Sequence, residues 1–484
     1  MQNPTDSAVV PEVAPPVQPP VEHEVRFHPT ARARKNAAPH TLVQADRVHK
    51  SVYTDPEIFE LEMDRVYGQA WLYVGHESQV PNTGDYFTTR LGREPVVMLR
   101  HSDGAVHVLY NRCPHKGAKI VPDGSGSAGK FLRCLYHGWT FKCDGSLLSV
   151  PLRSGYEDTA MDLKDRDNGV RKVARVATYR GFVFASLAAD GPDLPEFLGG
   201  VATSLDNFCD RAPDGEVEVA GGVQRVVQRN NWKIFFENLH DTVHAVATHE
   251  SSWRAAKEEF ESMPEGTQKP FEIVIVDGNG EPLEFWEKLE LKGYDGGHGY
   301  MEGIFTPPKD PVSLAYVASL EASQGAARAD EILRVNRHNT IVYPSCSPHT
   351  SFQQIRVIRP LSVDRTLVEI FTFRLKGAPE ATFQRALKYT NVINSPSSTV
   401  MPDDLEAYNR VQEGLGSDGG DWVSLHRAAG REHSLPGGRA SNGNSEMPMR
   451  NMFRAWAGYM ANEPTKHGLA KDGMAKDGLA KESV

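Results

Sequence analysis

The chain has 484 residues, a formal net charge of −10, 24% charged residues and 39% hydrophobic ones, values of a large globular protein with room for two domains and a sizeable core. The negative balance excludes a surface built for nucleic acid, no apolar run approaches the roughly 18 residues of a membrane span, and the N-terminus lacks the basic-then-apolar pattern of a signal peptide. Five cysteines make no disulfide framework.

Residues 1–40 hold eight prolines and little periodic apolar pattern, which predicts a disordered tail. Thr54-Asp55-Pro56-Glu57 has the form of a capping box with proline in the first helical turn. Phe59, Met63, Val66 and Ala70 continue it as one apolar helix face. From there to about residue 187 the pattern is short β segments. Residues 95–100 and 106–111 flank Ser102-Asp103-Gly104, and residues 139–143 and 147–150 flank Asp144-Gly145. Asp-Gly between apolar runs predicts hairpins.

Between these hairpin segments lie Cys113-Pro114-His115 and, after eighteen intervening residues, Cys134-Leu135-Tyr136-His137. Paired Cys-x-His and Cys-x-x-His arms suit a Rieske [2Fe–2S] cluster, in which two histidines replace two cysteines on one iron. The alternative is a structural Cys₂His₂ zinc site. Zinc-finger spacing usually puts both cysteines in one arm, whereas each arm here mixes the two types. Gly117 and Gly138 follow the histidines, where a buried cluster needs close backbone approach and N–H donors. Trp139 covers the cluster or belongs to ordinary core. Cys143, Cys209 and Cys346 read as buried thiols. An iron–sulfur cluster needs free thiolates, so a reducing, cytoplasmic setting is expected.

A hundred residues on comes Asn231-Trp232-Lys233-Ile234-Phe235-Phe236-Glu237-Asn238-Leu239-His240-Asp241-Thr242-Val243-His244, then His249. Asp241 and His244 are three apart and share a helix face. His249 lies roughly 140° further round an ideal helix than His244, so both reach one ion only if the helix bends or ends between them. Two histidines and a distant carboxylate form the facial triad of non-haem Fe(II) oxygenases, which leaves positions open for O₂. Residues 351–359 and 366–375 read as neighbouring strands and residues 380–392 as a helix. Pro402-Asp403-Asp404 is the best source of the carboxylate, although proline and acids also suit any first helical turn. Leu405, Tyr408 and Leu415, with Val411 beside them, supply that helix with an apolar stripe. Residues 468–482 repeat a five-residue Gly-Leu-Ala-Lys-Asp-like unit, too short for a solenoid and read as a solvated low-complexity tail.

The Cys/His arms together with the string NWKxxxENxxDxxHxxxxH resemble the large (alpha) subunit of the Rieske non-haem iron aromatic-ring-hydroxylating oxygenases, over about residues 55–460. Rieske proteins of respiratory chains add one cysteine per arm to make a clamping disulfide. Ala118 and Tyr136 stand at those places here, so the oxygenase type is the one matched. The resemblance implies an α+β chain. Its parts are a tail over 1–40, a helical segment of the catalytic domain over 41–70, a small all-β Rieske domain over 71–188, a helix-grip catalytic domain with a central antiparallel sheet over 189–460, and a tail over 461–484.

The same resemblance implies one [2Fe–2S] cluster per chain on Cys113, His115, Cys134 and His137, and one Fe²⁺ on His244, His249 and Asp404, the second acid in preference to Asp403. Asn238 and Asp241 are implied as catalytic. Asp241 is expected to take the second N–H of His244 and to reach a cluster histidine of a neighbouring chain. An NAD(P)H-dependent reductase, with or without a ferredoxin, would supply electrons. The cluster would pass them to the iron, which activates O₂ for cis-dihydroxylation of an aromatic compound in its catabolism. Ring monohydroxylation, demethylation and a plain Rieske electron carrier are the alternatives. An alpha subunit with a C-terminal helix like residues 450–460 is expected in an α3 or α3β3 ring with a small beta subunit. Arg356 and Arg359 are three apart and face opposite sides of their strand. One of them, with Arg359 as first choice, is a candidate to hold a substrate carboxylate bidentately, against the plainer reading of an ion-paired strand arginine. The lean is toward an aromatic acid.

Overall fold

The computed structural model describes residues 38–303 and 309–461; the expected tails fall almost wholly outside the described residues. Helix α1 (Pro56–Arg65) starts one residue later than the capping-box reading placed it. Pro56 holds Asp55 in an extended conformation, and the Asp55 carboxylate accepts from the Glu57 amide at 2.8 Å. Thr54 ends the preceding turn and donates its hydroxyl to the Lys50 carbonyl. Phe59, Met63, Val66 and Ala70 are buried, as their spacing requires.

The β region that follows is built from short antiparallel strands. Strand β1 (Leu72–His76) precedes a sheet of β2 (Asp85–Leu91), β3 (Glu94–Arg100), β4 (Val106–Tyr110) and β5 (Ser125–Ser127), in the order β4-β3-β2-β5. Strands β6 (Phe131–Arg133), β7 (Thr140–Lys142) and β8 (Leu147–Ser149) form a second sheet. Both Asp-Gly hairpins form: β3 pairs with β4, and β7 with β8. Strand β10 (Phe182–Ser186) returns to pair with β1, and β9 (Arg175–Tyr179) pairs with its other edge.

The catalytic half carries strand β11 (Val217–Gln228), then helices α2 (Trp232–Leu239), α3 (Val243–Thr248) and α4 (Glu250–Glu261). Strands β12 (Glu290–Tyr294), β13 (Gly299–Glu302), β14 (Arg337–Ile341), β15 (Cys346–His349), β16 (Gln354–Ser362) and β17 (Arg365–Leu375) follow. Helices α5 (Glu380–Ile393) and α6 (Met401–Leu415), strands β18 (His433–Leu435) and β19 (Gly438–Asn442) and helix α7 (Met447–Ala461) complete it. Its main sheet runs β11-β17-β16-β15, all antiparallel. A five-stranded sheet, β14-β13-β12-β19-β18, lies beside it.

Residues two apart on a strand share a face, and the main sheet uses both. One face carries Ile355, Val357, Arg359, Phe371 and Phe373 and packs on the β region: Phe371 meets Phe87 at 6.1 Å, and Phe373 meets Phe182 at 5.8 Å. The other carries Gln354, Arg356, Ile358 and Thr372 and turns to the helices, with Thr372 bonded to Thr390 of α5 at 3.0 Å.

Arg359 is therefore not placed to hold a substrate. It is paired with Glu369 at 3.2 Å and donates to the Arg90 carbonyl at 2.7 Å, to Thr89 Oγ1 at 2.5 Å and to the Tyr73 carbonyl at 3.4 Å. It fastens the catalytic sheet to β1 and β2.

The Trp232-Lys233 start of α2 serves the fold too. The fully buried carboxylate of Glu62 in α1 accepts from Trp232 Nε1 at 2.8 Å, Lys233 Nζ at 2.5 Å and, from α7, Trp456 Nε1 at 2.6 Å. Three distant segments thus converge on one anion, each donor satisfying a lone pair that burial would otherwise leave open. Among the described residues no helix is long and apolar enough to cross a membrane.

Candidate metal centres

The first Cys/His arm leaves β4 and the second joins β6 to β7, so both occupy loop tips of the β region. The arms are built alike. In each, the cysteine carbonyl accepts from the glycine four residues on, at 2.9 Å for Gly117 and 3.0 Å for Gly138. Those glycines take φ of +77° and +70°, the left-handed turn that glycine adopts at little cost. Turn conformation, more than close approach of a cluster, is what requires them.

Cys113 and Cys134 are buried, His115 is half-buried and His137 exposed. The imidazoles lie 4.6 Å apart between ring centres, and Trp139 stacks on His115 at 4.9 Å and 5°. Trp139 thus covers the centre as well as joining the small core with Val97, Leu109 and Phe141. Burial raises the Cys113 thiol, while the amides of His115 and Lys116 aimed at its sulfur act the other way. Amide donors to a buried sulfur are what a ligating thiolate needs. All cysteines are free, and neither Ala118 nor Tyr136 offers a clamp.

The second centre is brought together from two distant segments. Helix α2 ends at Leu239, and α3 carries His244 and ends at Thr248. His249 stands at the junction of α3 and α4, with φ −97° and ψ 21°. The chain leaves the helix between the two histidines, as their angular mismatch demanded. Both then face Asp404 in the first turn of α6: His244 Nε2 lies 3.8 Å and His249 Nε2 3.5 Å from Asp404 Oδ1. One donor atom from each of the three residues falls within 4.8 Å of the others, a spacing a single ion can bridge. Asp403 points elsewhere, to His249 Nδ1 at 3.4 Å and Ser252 Oγ at 3.1 Å. A proton held on Nδ1 by that carboxylate leaves the Nε2 lone pair free for a metal. Asn238 donates to Asp404 Oδ1 at 3.1 Å. Burial pushes the Asp404 carboxyl up against the opposing pull of both imidazoles, and it pushes His244 down. Each shift disfavours the charge, and a bound cation would restore it on the carboxylate. The donor set fits a divalent iron.

Asp241 departs from expectation. The chain is out of helix from His240 to Thr242, so Asp241 and His244 do not share a helical face. The Asp241 carboxylate accepts from the Val243 amide at 2.8 Å and from Arg427 Nη2 at 3.1 Å. His244 Nδ1 makes no hydrogen bond to the Asp241 carboxylate. Asp241 acts on that imidazole through its charge and its backbone carbonyl. Sequence reasoning did not find Arg427, Ser252 or the role of Asp403; no local pattern marks them, because Arg427 meets Asp241, and Asp403 meets His249 and Ser252, across 150 residues or more.

Comparison with known proteins agrees with this geometry. Residues 70–173 match the model of the Rieske [2Fe-2S] domain, and residues 217–462 match the ring-hydroxylating alpha subunit (catalytic domain). The chain is 34% identical to toluate 1,2-dioxygenase subunit alpha of Pseudomonas putida over 77% of this chain and 80% of that one. It is 32% identical to biphenyl dioxygenase subunit alpha of Paraburkholderia xenovorans (strain LB400) over 86% and 90%. The crystal structure of naphthalene 1,2-dioxygenase from Rhodococcus sp. bound to indole superposes with a TM-score of 0.70 at 25% identity, covering 86% of this chain and 94% of that one. With the two domains in the family's order and both donor sets in place, the chain belongs to the ring-hydroxylating dioxygenase alpha subunits, whose cofactors are a Rieske [2Fe–2S] cluster and a mononuclear iron.

Proposed function

We propose that the chain is the terminal oxygenase subunit of a multicomponent system that cis-dihydroxylates an aromatic acid. The observation that carries this reading is the convergence of His244, His249 and Asp404 in a chain that also bears the two Cys/His arms. In it, Cys113, His115, Cys134 and His137 hold the cluster, and the histidine pair with Asp404 holds the iron. When bound, the cluster supplies single electrons and the iron supplies O₂ activation.

The protein's own part is placement. Asp403 fixes the tautomer of His249, and Asn238 orients Asp404. Asp241 is partly exposed and paired with Arg427, and its charge reaches His244. Around exposed His137, Leu135 and Tyr136 are 81% and 63% exposed, an apolar rim for a partner to cover. Both features support a head-to-tail ring, α3 or α3β3, in which each chain's cluster serves its neighbour's iron. The electron source is an NAD(P)H-dependent reductase, directly or through a ferredoxin. Five free cysteines, all buried, suit a cytoplasmic setting.

The test uses purified protein with a surrogate reductase, NADH and ¹⁸O₂, offered benzoates, phthalates, salicylates and neutral arenes. The expected results are about three irons per chain and a cis-diol that carries both atoms of one O₂. A product with one labelled hydroxyl would move the assignment to monohydroxylation. No arene turned over by fully loaded protein would remove it.

A further inference from the structure

Strand β16 holds two buried arginines on opposite faces, and they are treated differently. Arg359 meets a carboxylate and three more acceptors. Arg356, 6% exposed, hydrogen-bonds through Nη2 to the side-chain oxygen of Asn339, and its Nε has no partner. Among the described residues no carboxylate lies within ion-pair distance of Arg356. A buried guanidinium without a counter-charge is strongly unfavourable, and such groups are normally paired.

Its position gives the reason to keep it. Arg356 projects from the face that turns to the helices. Asn339, its partner, is tied to the end of α2: its amide donates to the Leu239 carbonyl at 2.8 Å, and its own carbonyl meets His240 Nε2 at 2.6 Å. The guanidinium also lies near the Asp404 carboxylate and the phenols of Tyr408 and Tyr389. Other polar groups there lack partners. Both amide atoms of Gln354, beside Arg356 on the same face, are buried and unbonded, as are His349 Nδ1 and Tyr408 Oη. Several buried unsatisfied groups near one unpaired cation are an arrangement suited to a polar, anionic guest.

The charges around Arg356 limit that guest. Burial and the nearby guanidinium of Arg356 hold His349 well below its ordinary range, and burial holds His338 at about 4, so both imidazoles are neutral at pH 7. Arg211, also buried, donates to Asn207 and to the Val335 carbonyl. Arg356, among the described residues there, has its Nε left without a partner.

We propose that Arg356 receives the carboxylate of a singly charged aromatic acid and so determines which rings reach the iron. This rests on the oxygenase reading above and names the substrate class of the same site. A carboxylate at Arg356 pairs the guanidinium in the bidentate manner its fork favours. A neutral hydrocarbon leaves it unpaired. A dicarboxylate brings a second charge, for which Gln354 and the neutral imidazoles beside Arg356 offer no counter-charge.

The test compares benzoate, toluene and phthalate on the metal-loaded enzyme, by kcat and KM and by ligand-induced rise of the melting temperature. Benzoate should exceed the other two by at least about a hundredfold in kcat/KM and alone should raise the melting temperature. Arg356→Gln should raise KM for benzoate by about a hundredfold or more, cut kcat/KM for benzoate far more than for toluene, and keep both metals. Arg356→Lys should fall between, keeping charge but losing the fork. Equal use of benzoate and toluene by the wild type would overturn the proposal, as would equal loss of both in Arg356→Gln. Should the wild type turn over no arene, the oxygenase reading fails, while the melting shift still decides whether Arg356 binds the acid. That shift needs no variant, so a poorly folding Arg356→Gln does not shield the idea.

Discussion

His249 presents its two ring nitrogens to two consecutive aspartates, Nε2 to Asp404 at 3.5 Å and Nδ1 to Asp403 at 3.4 Å. Adjacent residues at a helix start point in different directions, so one acid enters the metal site and the other stands behind its ligand. Asp404→Ala should lose the mononuclear iron and all product formation while the cluster spectrum persists. Asp403→Ala should retain iron at saturating Fe²⁺ but with affinity lowered roughly 10–100-fold, the usual cost of losing a carboxylate behind a metal-bound histidine. Iron titration of both variants decides the matter; equal and complete loss in the two would show that the acids share one role.

Cys113→Ser and His137→Ala should each abolish the visible absorption of the cluster together with activity. The amides of His115 and Lys116 aim at the Cys113 sulfur, and a serine oxygen cannot replace that soft ligand. A normal spectrum in either variant would mean the ligands are others.

What the sequence revealed follows the range of the forces involved. The cluster arms and both hairpins were legible because spacing and Asp-Gly turns act over a few residues. The break at His249 was legible from helix geometry alone. Asp404, 155 residues beyond His249, could be chosen over Asp403 only through family resemblance. Strand alternation showed that Arg356 and Arg359 face opposite sides, but not which side meets the helices. Long-range packing of Phe371 on Phe87 settles that. The same limit hid Glu62, whose donors Trp232, Lys233 and Trp456 come from two other segments.

Asp241→Asn should keep both metals yet fail to pass an electron from a pre-reduced cluster to product in a single turnover with substrate and O₂. The Asp241 charge acts on His244, and an amide keeps an acceptor oxygen for the Val243 amide while removing that charge. Stopped-flow reoxidation of the cluster and product yield are the measurements. Near wild-type values would make the Asp241–Arg427 pair structural only.

Arg359→Ala should destabilise the protein without touching substrate affinity. Removing one partner of a buried ion pair usually costs about 3–5 kcal/mol, and the lower end is expected because Arg225 still meets Glu369 at 2.9 Å. The melting temperature should fall while KM for the preferred arene stays put. A raised KM with an unchanged melting temperature would return Arg359 to the substrate site.

Glu237 gives the protein a pH dependence of unusual sign. Its carboxyl is half-buried beside Tyr53, whose hydroxyl donates to it at 2.9 Å. Burial lifts it to about 7, with the charges of Glu446 and Asp241 adding and the Tyr53 hydroxyl and Lys233 opposing. In the unfolded chain an ordinary glutamate releases its proton near pH 4.5. Between those values the unfolded state has lost a proton that the folded state keeps, so stability falls as pH rises through the window. Below pH 4.5 the group contributes nothing, and above pH 7 the full penalty is present, on the order of 3 kcal/mol from the two values. Glu237→Gln keeps an acceptor for Tyr53 and has no proton to lose. Its melting temperature should therefore match the wild type near pH 4.5 and exceed it by a growing margin up to about pH 8. A margin that is constant across pH, or that widens toward acid, would show that Glu237 is ionised in the folded protein.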